Sequence, residues 1–341
     1  MIEVVQNIHE AVWRDFLAHE QKASLFHTPE WKNFICETFH YKPYYLFARD
    51  ISGKITGLLP LYQIKSRLTG NRLCSLPFAY QCNIIGDPAS QDALLSKALE
   101  LVEDLKATYL EVRDWLDNSS FHVTNCYSTY ILELSSNPEE VWKTFKSNVR
   151  RNIKQSQKYG VSVEETKDPK ALQTFYQLNC ITKRKLGSPC HPWNFFKNLF
   201  LYLNDHASLY IARFDNKIIA GGVMLSFDNH LIYGYGAADP AYLQFRPYNA
   251  LLWKSIENAC VRGYRYFDFG RVSTDNSGLI HFKSRWGTEE RKLPYSYYPR
   301  KSRSQIMNRN GFVYQMETKL LQMLPLSIYK GLSNFVFGHI G

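Results

Sequence analysis

Between Tyr264 and Gly287 the chain reads YRYFDFGRVSTDNSGLIHFKSRWG, which sets charged residues among aromatics as an ordinary core segment does not. Tyr266, Phe267 and Phe269 favour a strand, so Asp268 carries a carboxylate into or beside an apolar layer, where it needs a partner. Arg271 follows the strand end expected at Gly270, and Ser273–Gly278 reads as a turn. A second strand-like run then presents Lys283 between Phe282 and Trp286. A lysine fixed among aromatics is a positive charge suited to an oxyanion. Asp268 can orient Lys283 or Arg271 or accept a proton, and it can equally be a structural partner for the strand-end arginine.

Other residues carry charge or chemistry with an ordinary meaning beside them. Arg113 ends a short strand, where it can clamp a phosphate or carboxylate in two-pronged fashion or pair with Glu111 or Asp114. Lys146, Arg150, Lys154 and Lys158 recur every four residues, a line able to meet tRNA or a diphosphate, or a solvated helix face. Tyr233 and Tyr235 fall on one strand face by the period of two. Cys190-His191 invites a cysteine-nucleophile reading, but no acid or amide orienter is evident, and the histidines lack metal-ligand spacing.

These residues need elements to hold them. The 341 residues, 45% hydrophobic and 15% aromatic, suffice for two domains with a core in each. A net charge of +10 favours anionic partners: nucleic acid, nucleotide sugars or anionic membrane surfaces. Seven scattered cysteines, none in a C-x-x-C pair, exclude a disulfide framework and a zinc site and fit a reducing cytoplasm. The N-terminal residues lack the pattern of a signal peptide, and the apolar stretch Leu320–Ile340 is broken by Pro325, Lys330, Gly331 and Asn334, which excludes a spanning helix there.

Along residues 1–136 the periodicity predicts two short helices, a hairpin (Tyr44–Ala48, Ile55–Ile64), a helix over Asp92–Lys106 and a strand over Tyr109–Val112. A second unit is expected over 137–299. It begins with one helix from Asn137-Pro138 whose apolar stripe is Trp142, Phe145, Val149 and Ile153. Helices to about Leu186 and over Pro192–Tyr202, strands over Ser208–Phe214, Ile218–Ser226 and Leu231–Ala237, a helix over Tyr248–Arg262 and the strand Tyr266–Phe269 follow. Both halves therefore read as α/β (α+β) units, and residues 300–341 as a helical extension packing on the first domain.

Several passages in order resemble the FemABX family of the GNAT acyltransferase superfamily, which includes aminoacyltransferases of peptidoglycan interpeptide bridges. They are Gly57-Leu58-Leu59-Pro60-Leu61, Leu76-Pro77-Phe78, Tyr109–Arg113, Asn148–Gly160, Arg184–Pro192, Ile232–Pro240 and the FDFGR and FKSRWG runs, spread over about residues 25–300. Tyr80–Gly86 departs from the glycine pair of many relatives. The resemblance implies tandem GNAT-like domains, each a mixed sheet flanked by helices, and direct transfer without a covalent enzyme intermediate. It aligns Lys283 with the family's Phe-Lys pair and Arg113 with a first-domain arginine. With the residue pattern read beside it, the candidate catalytic residues are Lys283 and Asp268. The candidate substrate contacts are Arg113, Arg150, Tyr233, Tyr235, Arg246, Asn249 and Arg271, the two tyrosines lining an acyl channel or the core.

The cofactor loop of acyl-coenzyme A enzymes, Gln/Arg-x-x-Gly-x-Gly/Ala, looks like Gln244–Ala250 (QFRPYNA), where Pro247 and Asn249 replace the glycines. No tightly bound cofactor and no metal are expected. The donor is aminoacyl-tRNA, or in the rival reading acyl-CoA or an acyl carrier serving exopolysaccharide or lipid assembly. The expected partner is an anionic envelope precursor, a nucleotide- or lipid-linked sugar, met in the cytoplasm or peripherally at the inner face of the membrane. A third reading is a non-catalytic module binding glycan or RNA.

Overall fold

Helices in this chain start where a short polar residue precedes proline. In the computed structural model, which describes residues 2–67, 69–299 and 312–339, the side chains of Thr28, Asp87, Asn137 and Asp168 each accept an amide N–H at such a start. The chain divides into two units, one of Met1–Cys126, Leu293–Met307 and Gly338–Gly341, the other of Tyr127–Lys292 and Asn308–Phe337.

The first unit contains β1 (Glu3–Val5), α1 (Glu10–His19), α2 (Pro29–Phe39), β2 (Lys42–Arg49), β3 (Ile55–Ser66), β4 (Gly70–Cys74), β5 (Ile85–Gly86), α3 (Pro88–Asp104) and β6 (Leu110–Val112). Its mixed sheet has the order β1-β2-β3-β4-β6, antiparallel but for the parallel β4/β6 pair, with β5 on β3. Leu94, Ala98, Leu101 and Val102 of α3 pack on Tyr44, Leu46, Leu59 and Leu61 to form the core. Ser296–Tyr298, arriving from much later in the chain, pair antiparallel with β6.

The second unit begins within β7 (His122–Glu133) and continues through α4 (Pro138–Thr144), α5 (Ser147–Lys158), β8 (Ser162–Thr166), α6 (Pro169–Lys185), α7 (Trp193–Tyr202), β9 (Ala207–Phe214), β10 (Lys217–Phe227), β11 (His230–Ala238), α8 (Pro247–Val261), β12 (Tyr266–Asp268), β13 (Val272–Ser273) and α9 (Ser277–Ser284) into the start of β14 (Glu289–Tyr298), whose residues from Leu293 on belong to the first unit. Its sheet runs β7-β12-β11-β10-β9-β8, with the β11/β12 pair parallel, and β13 also pairs with β7. On one face Leu251, Leu252 and Ile256 of α8 join Met224, Tyr210, Phe145 and Trp286 in the core.

The structure corrects four expectations. The boundary expected at residue 137 lies in β7, because Tyr127–Glu133 already pair with β12 and β13 of the second unit. The single helix from Asn137 is two helices: Phe145 and Lys146 are extended, which seats the Phe145 ring 5.6 Å from Trp253 and 5.1 Å from Trp286. That break is held by tertiary packing, and Gly287 lies so close to Thr144 that a Cβ would meet its hydroxyl at 2.4 Å. The second strand-like run of the Tyr264–Gly287 segment is the helix α9, started by Asn276, whose side chain accepts the Leu279 amide at 3.0 Å.

Lastly, the C-terminal helices α10 (Phe312–Met323) and α11 (Leu326–Phe337) belong to the second unit. Arg184 donates to the Leu324 carbonyl at 3.2 Å, Gln322 to the Lys185 carbonyl at 3.0 Å and the Tyr329 hydroxyl to the Ser188 carbonyl at 2.5 Å. Burial of Tyr329 and Phe337 fixes this docking. Gly338 and His339 belong to the first unit, where their carbonyls accept from Tyr41 and Thr69. Among the described residues no helix is long and apolar enough to cross a membrane.

Candidate active site

Strands β11 and β12 pair only over His230–Ile232 and Tyr266–Asp268, then part. Two local features open this fork. Asp268 accepts the Gly270 amide at 2.7 Å and the Thr129 hydroxyl on one carboxylate oxygen, and Gly270 turns the chain with φ +72°, its Cα facing the Tyr233 carbonyl so closely that a Cβ would meet it at 2.9 Å. The turn leaves the carbonyls of Gly270 and Arg271 side by side. The Lys283 ammonium, delivered by α9 and only 4% exposed, donates to both, at 2.5 and 3.2 Å. Burial pulls Lys283 down to about 8, with Asp268 opposing and Arg271 assisting. Two of its three N–H donors are thus engaged, and among the described residues the third has no partner.

The other prong of the fork is β11. Its register with β10 slips at Val223/Met224: Met224 faces Tyr233 and Val223 faces Tyr235, with Gly234 left over. A bulge of this kind puts Tyr233 and Tyr235 on opposite faces, which overturns their expected common face. Tyr233 packs on the core under α8, while Tyr235 meets His191, Phe195 and Phe196 at ring distances of 5.0, 5.3 and 5.5 Å. Burial pushes the Tyr235 phenol up, with the Arg271 charge opposing. Arg271 itself stacks over Tyr127 at 4.5 Å.

Sequence reasoning missed Lys183. It sits in Lys183-Arg184-Lys185 at the end of α6, a run that reads as cations on a helix dipole. In the structure it lies near Arg271 and His191: burial and then the Arg271 charge hold its ammonium below the usual range, and burial and then Lys183 keep the imidazole of His191 neutral. Among the described residues the buried Nδ1 of His191 has no hydrogen-bond partner. Cys190 is fully buried, and its thiol is lowered by a hydrogen bond from Cys180 rather than by an imidazole. A cysteine–histidine nucleophile is therefore not assembled.

A cavity of about 310 Å³ opens beside the N-terminus of α8, lined by Asn148, Asn152, Arg246, Asn249, His281 and Arg285 among others. Arg285 donates to the His281 ring at 2.8 Å and to the Asn148 amide at 3.5 Å. Pro247 has no amide hydrogen, and the amides of Asn249 and Ala250 turn back onto the Arg246 carbonyl at 3.0 and 3.3 Å. An anion here meets side chains more than backbone amides. One face of α9 carries His281, with the C-cap Arg285 after it, to this cavity, and another carries Lys283 to the fork.

Arg113, in the first unit, is 7% exposed and donates to Glu111 at 2.8 Å, to Cys74 and to the Ala79 carbonyl, which fits the ion-pair reading. Burial opposes its charge, yet Cys74 and Glu111 raise the guanidinium well above its ordinary value. Arg150 donates to the Lys143 carbonyl at 3.2 Å, Lys146 sits at the start of α5, and Lys154 and Lys158 are exposed. No group of three or more His, Cys, Asp or Glu among the described residues is placed to hold a metal ion.

Residues 143–284 match the family model described as an acetyltransferase (GNAT) domain. The fold is similar to the crystal structure of FemX, with 17% identity and a TM-score of 0.71 over 93% of this chain and 100% of that one. It is also similar to the C-terminal domain of a putative lysylphosphatidylglycerol synthetase from Agrobacterium fabrum (10%, 0.56, 84% and 91%). A tandem GNAT protein from the clavulanic acid biosynthesis pathway is similar as well (12%, 0.56, 87% and 98%). No curated protein matches the sequence. Residues 143–284, which lie within the second unit, thus match a GNAT domain, and the fold of the chain is similar to those of FemX and of a tandem GNAT protein.

Proposed function

We propose that this chain transfers an aminoacyl group from aminoacyl-tRNA to an amine of an anionic cell-envelope precursor. The observation that carries the reading is the Lys283 ammonium, buried at the β11/β12 fork with one donor uncommitted. The acceptor amine attacks the ester carbonyl, a nitrogen–carbon bond forms, and the carbonyl oxygen becomes an oxyanion that the third N–H of Lys283 can hold. As the carbon–oxygen bond to the carrier breaks, the departing oxygen takes a proton and the amine loses one. With its value near 8, Lys283 can supply that proton at neutral pH and recover it from the attacking amine. Asp268 acts by shaping the Gly270 turn, since one carboxylate oxygen already serves Thr129 and Gly270.

The blocked amides around Pro247 support a donor other than acyl-CoA, and the cavity with Arg246 and Arg285 suits phosphates held by side chains. The GNAT domain match favours a second reading, with acyl-CoA or an acyl carrier as donor. A cytoplasmic place at the inner face of the membrane, where lipid-linked precursors are met, belongs to the same proposal. The test offers the purified chain aminoacyl-tRNA or acyl-CoA with nucleotide- and lipid-linked acceptors and weighs the products by mass spectrometry. Transfer from aminoacyl-tRNA is expected; transfer from acyl-CoA alone establishes the second reading, and transfer from neither removes both.

A further inference from the structure

The last two helices carry more apolar surface than their docking uses. On α11 the inner face sets Tyr329 and Phe337 into the second unit, and Lys330 donates to Gln177 and lies over the Tyr176 ring. Round the helix from these, Ile328, Leu332 and Phe335 recur at intervals of four and three, a second apolar stripe that is 58%, 37% and 58% exposed. The arrangement repeats on α10. Its Thr318 lies against Gly187 and its Gln322 reaches the Lys185 carbonyl, whereas Leu320 and Met323 are 58% and 82% exposed. Of the fourteen large apolar side chains exposed among the described residues, these five fall within sixteen positions. Scattered single residues of this kind are ordinary, but such a concentration marks an interaction surface.

Charge decides what this surface meets. From Thr318 to Phe337 the sequence has two lysines and no acid, and from Arg300 to Gly341 it has six lysines and arginines against one acid, Glu317, a net +5 of the chain's +10. A second copy of the same face would set like charges together, which disfavours self-association, whereas an anionic lipid surface offers apolar depth and negative charge at once. Each helix has twelve residues, a length of about 18 Å against a hydrocarbon core of about 30 Å, so the pair can lie on a bilayer but not cross it. We propose that the outer faces of α10 and α11 dock the chain on an anionic lipid bilayer, the five apolar side chains entering the boundary between headgroups and acyl chains and the exposed Lys319 meeting headgroup phosphates. This goes beyond the transfer reaction by naming the surface that brings a lipid-linked acceptor within reach. Docking is measured without turnover, so either can fail alone.

The experiment sediments the full chain with vesicles of phosphatidylcholine, and of phosphatidylcholine containing phosphatidylglycerol, over a range of lipid and salt concentrations. Binding to the anionic vesicles is expected, weakened by salt and faint on phosphatidylcholine alone. Two paired substitutions, Ile328→Ser with Leu332→Ser and Leu320→Ser with Met323→Ser, should each weaken it at least about tenfold while the melting temperature holds. Leu201→Ser, at a side chain 62% exposed on α7, should leave binding unchanged. Should either pair unfold the chain, Ile328→Trp gives the reading in its place, its added emission being quenched by brominated acyl chains. Undiminished binding by both pairs, an Ile328→Trp emission that brominated lipid leaves unquenched, or a wild type that binds no anionic vesicle overturns the proposal. Sedimentation velocity tests the rival occupant: a wild-type dimer abolished by the Ile328 and Leu332 pair gives this face to a second copy and overturns lipid docking. Transfer to a nucleotide-linked acceptor by a chain that binds no vesicle removes the surface and leaves the reaction standing.

Discussion

At the scale of single residues, Lys283 bears the most chemical weight and yields a signed pH dependence. Its proton comes off near 8 in the folded chain and near the ordinary 10.5 when unfolded. Oxyanion stabilisation by the ammonium is therefore present below about 8 and fades as pH rises through that value. Lys283→Ala is expected to lower turnover by about 100- to 1,000-fold, and the fall of activity above pH 8, measured with an acceptor amine already deprotonated there, should vanish from the residual rate. The same shift bears on stability: between about 8 and 10.5 the unfolded chain holds the extra proton, so stability from this group rises with pH across that window. The displacement corresponds to roughly 3 kcal/mol at neutral pH, and urea titrations of wild type and Lys283→Met at pH 7 and 10 should converge as the penalty is relieved. Lys283 was legible from its aromatic setting. Lys183 was not, because three adjacent cations at a helix end look alike until tertiary contacts assign each a different neighbour.

At the scale of elements, α9 sets the position of Lys283, and its start depends on Asn276. Asn276→Ala is expected to destabilise the second unit by about 1 kcal/mol and to lower kcat more than KM, since the amine loses its seat on the turn before the substrate loses its contacts. Equal loss in a variant altered at an exposed loop of the first unit, such as Ser52→Ala, would show the effect to be nonspecific. Most helices could be read from the sequence because a capping residue and a proline act locally. The run around Lys283 could not, since Leu279, Ile280 and Phe282 suit strand and helix alike and the cap at Asn276 lay inside an apparent turn. The bulge in β11 was equally hidden: Gly234 gives no sign of the register slip, yet it sends Tyr235 to the aromatic nest and Tyr233 to the core.

At the scale of the whole molecule, two α/β units were legible from repeated element order, but their true composition was not. Local pattern does not report that 293–298 join the first unit or that α10 and α11 join the second. Removal of residues 312–341 is expected to lower the melting temperature by several degrees, because it strips Tyr329 and Phe337 from the second unit and uncovers the Ser188 and Lys185 carbonyls. An unchanged melting temperature would mean that this docking contributes nothing to stability.

The interleaved membership of the two units has a consequence for how the protein is made. A ribosome finishes β1 to β6 early, but Ser296–Tyr298, which pair with β6, emerge only after the whole body of the second unit. The second unit in turn waits for Tyr329 and Phe337. The first sheet-and-helix unit cannot close in order of synthesis, so the nascent chain holds an uncovered edge at β6 while about 180 residues are added, about ten seconds or more at typical elongation rates of about 5–20 residues per second. That interval is where a chaperone would find its substrate.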